Sequence, residues 1–352
     1  MRGLRPFPVL LPLSYPYGCA AGVRNWLYDA RILTAVRLDV PVVSIGNLTA
    51  GGTGKTPFTG EVVRRLQERG LRVGVVSRGY GRASRGTVVV ADGEKVLAGP
   101  REGGDEPVML ARRHPGTVVV VAGRRGDAGR IAVETFGAQV IVMDDGFQHR
   151  ALARDVNIVI IDGRMDIRRE RLLPAGLRRE WLSGLRRADL LAVAKIADEP
   201  AARAAAGRLC RWFKGPVAAF TLCTEEVAGV PARGGTLLQP GTPVLAFSGI
   251  ADHGGFLETA RSAGLKLAAA ERFDDHHRYT ESDVLRLIGT ARASGAAAFL
   301  TTEKDAVRLD GTPALAGLLR SAAPLYEMRM RVRMVFGEEA LSRLLGSLAG
   351  VS

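Results

Sequence analysis

Cysteine is scarce in this sequence, and its three copies, Cys19, Cys210 and Cys223, lie far apart without forming a CxxC pair. Such spacing argues against a zinc site and against a disulfide framework, and it is typical of a protein in the reducing cytoplasm. Aromatic residues are also few, at 6% of the chain, and no recognisable nucleic-acid-binding module accompanies them. The sequence therefore disfavours a nucleic-acid-binding ATPase and predicts no nucleic-acid partner.

Negative charge is in short supply relative to positive charge. The 352 residues include 49 Lys and Arg but only 36 Asp and Glu, which gives a formal net charge of +13. One interpretation is a codon bias that spreads arginine over a solvated surface. The alternative is a preference for anionic partners, such as a nucleotide, a phosphorylated substrate, a membrane surface or nucleic acid.

A long uninterrupted apolar run is missing as well. The mostly apolar residues 8–23 are interrupted by Pro8, Pro12 and Pro16, whereas a membrane-spanning helix needs about 20 apolar residues. No A-x-A-like cleavage site follows, so a signal peptide is not expected. Apolar side chains then recur at helical spacing over residues 23–30. This helix could lie on a bilayer or pack on the core, and we assign residues 1–38 to an amphipathic, membrane-contacting segment.

The remaining sequence alternates short β-branched runs with amphipathic stretches, which predicts βαβ units and a mostly parallel sheet. Strands are predicted at residues 42–45, 73–76, 88–90, 118–121, 140–143, 158–161 and 190–195. Helices are predicted at residues 57–69, 106–113 and 127–136. From about residue 201 the sequence becomes Ala-rich, and after a Gly/Pro-rich stretch it predicts more strands and helices. We therefore expect an α/β fold with a core domain, residues 39–195, and a smaller C-terminal α/β domain, residues 196–352.

A glycine-rich loop follows the first predicted strand and precedes a predicted helix that opens at Pro57. Glycines let backbone N–H groups turn toward a bound phosphate, and the helix N-terminus adds partial positive charge. In such a loop Lys55 would hold the β- and γ-phosphates of ATP, and the Thr56 hydroxyl would bind Mg²⁺. The pattern departs from GxxxxGK[ST] at Thr49, where glycine is expected. The predicted nucleotide-binding residues of the loop are Thr49, Ala50, Gly51, Gly52, Thr53, Gly54, Lys55 and Thr56.

The loop indicates that the core domain resembles the P-loop NTPases, but it does not by itself separate their classes. A GTPase should carry an NKxD-like segment that reads the base, and an ABC-type ATPase should carry an LSGGQ-like segment. Neither is found in the sequence. Another molecule must therefore accept the phosphate, or another process must use the hydrolysis.

Two acids, Asp144 and Asp145, follow the predicted strand 140–143 in the sequence DDGFQH. Open α/β sheets bind their ligands at the carboxyl ends of the strands, so a carboxylate here would organise Mg²⁺. Arg125 follows the predicted strand 118–121 and places a cation at the same edge.

Three further motifs carry candidate functional residues. In GGDEP, Asp105 stands at a predicted helix start, where it could cap the helix or act as a general base or a metal-linked acid. Residues 173–180 (LPAGLRRE) combine a turn with Arg178 and Arg179. In DDHHRY, two adjacent histidines stand near acids; a proton relay or a phosphate contact is more economical there than a metal site, because no third ligand has a usual spacing.

Taken together, these segments resemble the tetraacyldisaccharide 4'-kinase family of lipid A biosynthesis. The motifs that carry the resemblance occur in order along nearly the whole chain: SIGNLTAGGTGKTP, VGVVSRGYGR, GGDEP, DDGFQH, LLPAG-x-x-RE, FSGIA, DDHHRY and TTEKDAVRL. The resemblance implies transfer of phosphate from MgATP to the 4'-hydroxyl of a tetraacylated disaccharide 1-phosphate, at the cytoplasmic face of the bacterial inner membrane. Its partners would be a phosphorylated glycolipid and the membrane surface. The alternative is another P-loop kinase, or an ATP-dependent ligase, that acts on a soluble acceptor.

The resemblance also implies roles for individual residues. Asp105 matches the family's proposed catalytic base, and His276 matches the histidine that pairs with it, although the adjacent His277 leaves that choice open. Leu177 stands where the family usually has proline. The match of Arg178 and Arg179 to the family's arginines depends on how this turn is aligned. The remaining positions that match the family's active site are Lys55 and Thr56, the acids Asp144 and Asp145 around magnesium, and Arg125, Gln148, His149 and Arg179.

Overall fold

The computed structural model describes residues 8–230, 238–239 and 241–348. Its helices are α1 (Leu11–Asp29), α2 (Lys55–Gln67), α3 (Pro100–Gly103), α4 (Asp105–Arg113), α5 (Arg125–Arg130), α6 (Glu199–Gly207), α7 (His253–Ser262), α8 (Glu281–Ser294), α9 (Glu303–Asp310), α10 (Pro313–Ala322) and α11 (Glu338–Gly346). Its strands are β1 (Val42–Asn47), β2 (Val73–Ser77), β3 (Val88–Asp92), β4 (Val118–Val121), β5 (Val140–Asp144), β6 (Val156–Asp162), β7 (Leu190–Ala194), β8 (Val217–Gly229), β9 (Pro243–Ser248), β10 (Lys266–Arg272), β11 (Ala298–Thr302) and β12 (Leu325–Phe336).

All of these strands join one sheet in the order β10-β9-β11-β12-β8-β7-β6-β1-β5-β2-β4-β3. Neighbours pair in parallel except β3 with β4 and β8 with β12. The predicted α/β fold with a mostly parallel sheet is thus confirmed, and each strand predicted for residues 39–195 is present. Strand β8 is long, and its second half pairs with the long strand β12.

The sheet has two halves that differ in connectivity. We call β1–β7 with their helices the phosphate half, and β9–β11 with α7–α10 the outer half. Strands β8 and β12 lie between the two halves. Helix α11 returns to the phosphate half, where Leu341 and Leu345 are fully buried in the same cluster as Phe58 and Val62 of α2. The division at residue 195 into two domains stays a prediction.

Strands β1, β5 and β7 are buried at every residue, as expected for parallel strands covered by helices on both faces. Along β1 the neighbours are β5 on one side and β6 on the other, and both pair in parallel register. The carboxyl ends of these strands therefore meet at one edge of the sheet. The glycine loop and the DDGFQH turn both leave the sheet at that edge.

Helix α1 begins earlier than the proline pattern predicted. It includes Pro12 and Pro16, and Pro12 lies in the first turn, where the missing N–H needs no partner. The helix packs closely on a later segment: a Cβ on Gly18 would stand 2.6 Å from Leu172 and 2.8 Å from Trp181. Among the described residues, no helix combines the length and the apolar character that crossing a membrane requires.

Candidate functional site

The glycine loop lies between β1 and α2 and opens toward a cavity of about 3100 Å³. Gly51 and Gly54 have φ of 109° and 83°, a left-handed region that favours glycine. Added Cβ atoms at Gly51 and Gly52 would meet nothing within 4 Å, so backbone on this side of the loop is open to a ligand. Helix α2 begins at Lys55, directly after Gly54, and directs its free N–H groups at the same space.

Residues 173–180 hold the loop from one side. The Leu177 carbonyl accepts from the Ala50 N–H at 2.7 Å, and the Leu48 carbonyl accepts from the Arg179 N–H at 2.7 Å. Thr49 is buried and pairs with Arg178 in a short antiparallel bridge. The non-glycine residue at the start of the loop is therefore accommodated as part of a small β-bridge, and Leu177 contacts the loop through its backbone.

Asp144 and Asp145 occupy different environments although they are adjacent. Asp144 is 1% exposed and accepts from the Thr59 hydroxyl of α2 at 2.8 Å. Burial raises the pKa of Asp144 to about 7, and the nearby Glu106 and Asp145 carboxylates act in the same direction. Asp145 is also desolvated, but Lys55, 3.7 Å away, and Arg179, at 2.8 Å, hold its pKa below the usual range.

Several buried polar atoms at this edge of the sheet have no hydrogen-bond partner among the described residues. They include Nε of Arg125, Oε1 of Gln148 and Nε2 of His149. Burial, together with the charge of Arg125, lowers the pKa of His149 to about 4, so its ring is neutral near pH 7. Unpaired buried donors and acceptors are costly, and a polar ligand in the cavity would satisfy them.

The donor set suits a magnesium ion that is held largely by phosphate. The hydroxyl of Thr56 and the carboxylates of Asp144 and Asp145 supply hard oxygen ligands, which Mg²⁺ prefers. No group of three or more His, Cys, Asp or Glu side chains that could hold a metal occurs among the described residues. A site with one hydroxyl and two carboxylates fits Mg²⁺, because this ion usually keeps several waters and binds one or two carboxylates plus phosphate oxygens.

Asp105 and His276 come from opposite halves of the sheet and meet at the cavity. Oδ2 of Asp105 lies 3.4 Å from Nδ1 of His276 and accepts from Nε of Arg308 at 2.6 Å. Asp105 is the first residue of α4 but makes no capping hydrogen bond; Gly104 holds the cap position. The helix-cap interpretation of Asp105 is therefore not what the structure shows.

The two adjacent histidines have different surroundings. His276 has a φ of 60°, an uncommon conformation for a non-glycine residue, and its ring lies 5.3 Å from the Tyr80 ring, centroid to centroid, in a tilted arrangement. His277 instead lies 2.9 Å from Asp283 and packs on Phe273 within the outer half. Only His276 of the pair is near Asp105, so the geometry favours His276 where the sequence left the choice open.

The structure gathers most of the predicted site residues around the cavity. Thr49, Asp105 and Asp144 are among the described residues but do not line the cavity. The lining side includes residues 50–56, Arg125, Asp145, Gln148, His149, Arg179 and His276.

Two contacting residues were not identified from sequence. Lys195, directly after β7, donates to the Gly52 carbonyl of the loop at 2.7 Å; its place at a strand's carboxyl end was a usable signal. Arg308 lies 203 residues from Asp105 in sequence, and nothing local to it indicated that contact.

A family model described as "Tetraacyldisaccharide-1-P 4'-kinase" matches residues 7–349. The chain belongs to this family. A tetraacyldisaccharide 4'-kinase of Anaeromyxobacter sp. (strain K) is 42% identical, over 96% of this chain and 89% of that protein. A protein of the same name from Chlorobium phaeovibrioides (strain DSM 265 / 1930) is 40% identical, over 98% of this chain and 99% of that one.

A solved structure supports the same family assignment. The crystal structure of LpxK from Aquifex aeolicus in complex with ATP has a TM-score of 0.77 to this chain and 31% sequence identity. The match covers 97% of this chain and 98% of that one. Similarity to the tetraacyldisaccharide 4'-kinase family therefore extends through both halves of the sheet, including α9 and the loop that carries His276.

Proposed function

We infer that this chain is a kinase that transfers the γ-phosphate of ATP to the 4'-hydroxyl of a tetraacyldisaccharide 1-phosphate, a lipid A precursor. The observation that carries the inference is membership of the tetraacyldisaccharide 4'-kinase family across the whole chain. The glycine loop before α2 and the acids after β5 agree with it, because they are the parts a P-loop kinase needs for MgATP. The alternative of a soluble small-molecule acceptor is not favoured.

The experiment is transfer of labelled γ-phosphate from ATP to a tetraacyldisaccharide 1-phosphate dispersed in detergent. We expect labelled lipid with the natural chain and a loss of at least about a hundredfold in kcat for Lys55→Ala, which removes the cation that neutralises the transferring phosphoryl group. Arg203→Ala is a matched control, since Arg203 is an exposed cation of α6 paired with Glu199. Labelling of soluble sugars but not of the lipid would contradict the proposal.

The proposed mechanism begins with the acceptor hydroxyl. A sugar hydroxyl is a weak nucleophile, so Asp105 would take its proton while the oxygen attacks the γ-phosphorus and the bond to the β-phosphate oxygen breaks. His276 pairs with Asp105 and would take part in that proton transfer. The 3.4 Å contact between the two side chains supports this assignment.

Charge neutralisation is the second part of the proposed mechanism. Lys55, Arg125 and Arg179 would neutralise phosphate charge, and Gln148 and His149 would offer further polar contacts to the nucleotide. Thr56, Asp144 and Asp145 would hold Mg²⁺, which would supply positive charge to offset the negative charge of the phosphates. The unpaired buried atoms on Arg125, Gln148 and His149 support a role in ligand contact.

We further propose that residues 39–195 and 196–352 act as a core domain and a smaller domain that close over the acceptor and exclude water. Water would otherwise compete with the sugar for the γ-phosphate. Support comes from the outer half, whose loop 274–279 and helix α9 both reach α4 of the phosphate half.

Residues 1–38 are proposed to rest on the cytoplasmic face of the inner membrane. Large apolar side chains of α1 and the turn before it are strongly exposed, among them Val9 at 87%, Leu13 at 57% and Trp26 at 60%. Ser14 and Gly18 of the same helix instead pack on residues 172–181. A bilayer would cover the exposed side chains, and a four-chain lipid acceptor is reached most easily from its surface.

Co-sedimentation with anionic phospholipid vesicles tests the membrane proposal. The double variant Leu13→Ser with Trp26→Ser should lose most vesicle binding, because interfacial binding scales with buried apolar area. Leu285→Ser is the matched control, since Leu285 is 55% exposed on α8 of the outer half. Point changes are preferable to deletion, because α1 also packs on residues 172–181. Equal sedimentation of the double variant and the natural chain would overturn the proposal.

A further inference from the structure

Helix α9 meets the first turn of α4 through charged side chains. Lys304 pairs with Glu106, and one helical turn further on Arg308 pairs with Asp105. Two cations on one face of α9 thus engage the two consecutive acids of GGDEP. The sequence of α9 belongs to the TTEKDAVRL motif, for which no role follows from the sequence.

Hydrogen bonds hold the Arg308 guanidinium both to Asp105 and to residues of the outer half. Its Nε donates to Oδ2 of Asp105 at 2.6 Å, and its Nη1 donates to Oδ1 of Asp305 at 2.7 Å and to the Gly249 carbonyl at 2.8 Å. Asp305 has no exposed surface and also accepts from the Tyr279 hydroxyl at 3.0 Å. Because the guanidinium is planar, these contacts determine its orientation toward Asp105.

Arg308 and His276 converge on the same oxygen. Nδ1 of His276 lies 3.4 Å from Oδ2 of Asp105 and 3.3 Å from Nη2 of Arg308. Within the described residues, Oδ1 of Asp105 has no hydrogen-bond partner. The contacts hold one oxygen of the carboxylate and leave the other to accept a proton.

We propose that Arg308 is a positioning residue for the phosphoryl transfer: it fixes Oδ2 of Asp105 so that Oδ1 faces the acceptor hydroxyl. The inference rests on the proposed role of Asp105 as the base. It places part of the base's support in the outer half, on a helix whose buried Asp305 also accepts from the Gly249 N–H. A base misplaced by about 1 Å can cost on the order of a hundredfold in rate, so such support affects turnover.

Arg308 also affects the charge of Asp105. Burial raises the pKa of Asp105, but the hydrogen bond from His276 and the charge of Arg308 hold it below the usual range. Without Arg308 the half-buried carboxyl should ionise at higher pH. The charged and titratable groups around the Asp105 site are Glu106 on its own helix, Lys304, Asp305 and Arg308 on α9, Asp275 and His276 after β10, Tyr80 after β2, and Lys55 facing Glu106.

The test is steady-state phosphorylation of the lipid acceptor over a range of pH. Arg308→Ala should lower kcat by about tenfold to a hundredfold without raising KM for ATP. It should also move the acidic limb of the kcat/KM profile to higher pH. Arg308→Lys keeps the charge but not the fork, so kcat should fall while the acidic limb stays near its original position.

Arg112→Ala is the matched control, because it removes the Arg112–Asp310 pair between the same two helices without touching Asp105. Equal kcat and equal pH profiles for Arg308→Ala and Arg112→Ala would overturn the inference. If Arg308→Ala does not fold, the kcat of Arg308→Lys tests the inference instead. An unchanged kcat in Arg308→Lys would contradict a positioning role for Arg308. Asp105→Asn distinguishes failure of the proposed base from failure of the proposed positioning role. Full activity of Asp105→Asn would refute Asp105 as the base. An inactive Asp105→Asn together with a fully active Arg308→Ala would refute only the role of Arg308.

Discussion

Two pairs of parallel strands in this sheet end in the same way but present different chemistry. Strand β1 lies beside β5 in the phosphate half, and β9 lies beside β10 in the outer half. A glycine lies at the end of the first strand of each pair: Gly46 is the second-last residue of β1, and Gly249 directly follows β9. Two consecutive aspartates lie at the end of the second strand: Asp144 ends β5 and Asp145 follows it, whereas Asp274 and Asp275 follow β10 after one intervening residue. In both cases the loop after the aspartates packs against the glycine, where a Cβ would stand 2.6 Å from Phe147 or 3.1 Å from His277.

The use of the acids separates the two pairs. After β5, Asp144 is buried and Asp145 contacts two cations at the glycine loop. After β10, Asp274 and Asp275 are exposed, and His276 lines the cavity beside Asp275 and contacts Asp105. The same backbone arrangement thus presents carboxylates for the proposed metal and phosphate chemistry in one half, and an imidazole for the proposed proton transfer in the other.

The largest expected difference comes from replacing one aspartate of each strand pair, Asp145 or Asp275, with asparagine. Asp145→Asn should lower kcat by at least about a hundredfold, because it removes a charge that organises Lys55 and the magnesium site. Asp275→Asn should change kcat little, since Asp275 has a 49% exposed side chain and lies 3.9 Å from His276. The measurement is labelled phosphate transfer to the lipid acceptor. Equal losses in both variants would contradict the comparison.

A double-mutant cycle tests whether the halves act together at the base. Asp105→Ala and His276→Ala should each reduce kcat by about a hundredfold or more, since general base catalysis is worth roughly 10²–10⁴-fold. If the two side chains act as a unit, the double variant should be scarcely slower than the slower single variant. Additive losses in kcat would show that the residues act independently.

Two histidines whose pKa values are lowered allow a comparison of how the stability of each half depends on pH. Burial lowers the pKa of His114, in the phosphate half, to about 4, and its Nε2 has no partner among the described residues. His253, in the outer half, also has a pKa lowered by burial, but it lies 2.7 Å from the Ser248 hydroxyl.

Because the folded state of His114 resists protonation, the unfolded state binds more protons between about pH 4 and pH 6.5. The free energy of unfolding should therefore fall as pH drops through this window, by up to about 3 kcal/mol from His114. Denaturant titrations at several pH values give the free energy of unfolding as a function of pH. His114→Gln should weaken this pH dependence more than His253→Gln does. An unchanged pH dependence in His114→Gln would contradict the assignment.

The two strand-end glycines give the smallest expected effect. Gly46→Ala should lower the free energy of unfolding by about 1–3 kcal/mol, because the new methyl group meets both the Cβ and the backbone N of Phe147. Gly249→Ala should cost less, since its nearest contact is 3.0 Å. Gly289→Ala on α8 is the control and should stabilise by up to about 1 kcal/mol, because nothing lies within 4 Å of its Cβ. Chemical denaturation measures all three.

The phosphate half could be predicted closely from sequence because its signals are local. Each buried strand is a short apolar run, and Lys55, Asp144 and Asp145 stand directly after a strand or loop that the sequence predicts. The outer half could be predicted only in part. Strand β12 carries alternating Arg and Met residues that form no apolar run, and it is a strand because β8 pairs with it over most of its length.

Contacts between the halves were the least predictable. The pairing of Arg308 with Asp105 depends on how α9 lies across α4, and no spacing or periodicity in either segment encodes that arrangement. Helix α1 begins before the position that its sequence predicts, because Pro16 lies inside the helix and does not interrupt it. Its packing on residues 172–181 stabilises the helix through contacts that are 150 or more residues away in sequence.

Helix α11 has a consequence for how the protein is made. Its Leu341 and Leu345 complete the hydrophobic cluster around α2, and Arg65 pairs with Glu338 at its start. During synthesis the glycine loop emerges early, but the cluster beneath it stays open until residue 345 has left the ribosome. The nucleotide-binding half is thus among the first regions translated and among the last to be finished, so a chain stopped at residue 330 would expose apolar surface beside the ATP site.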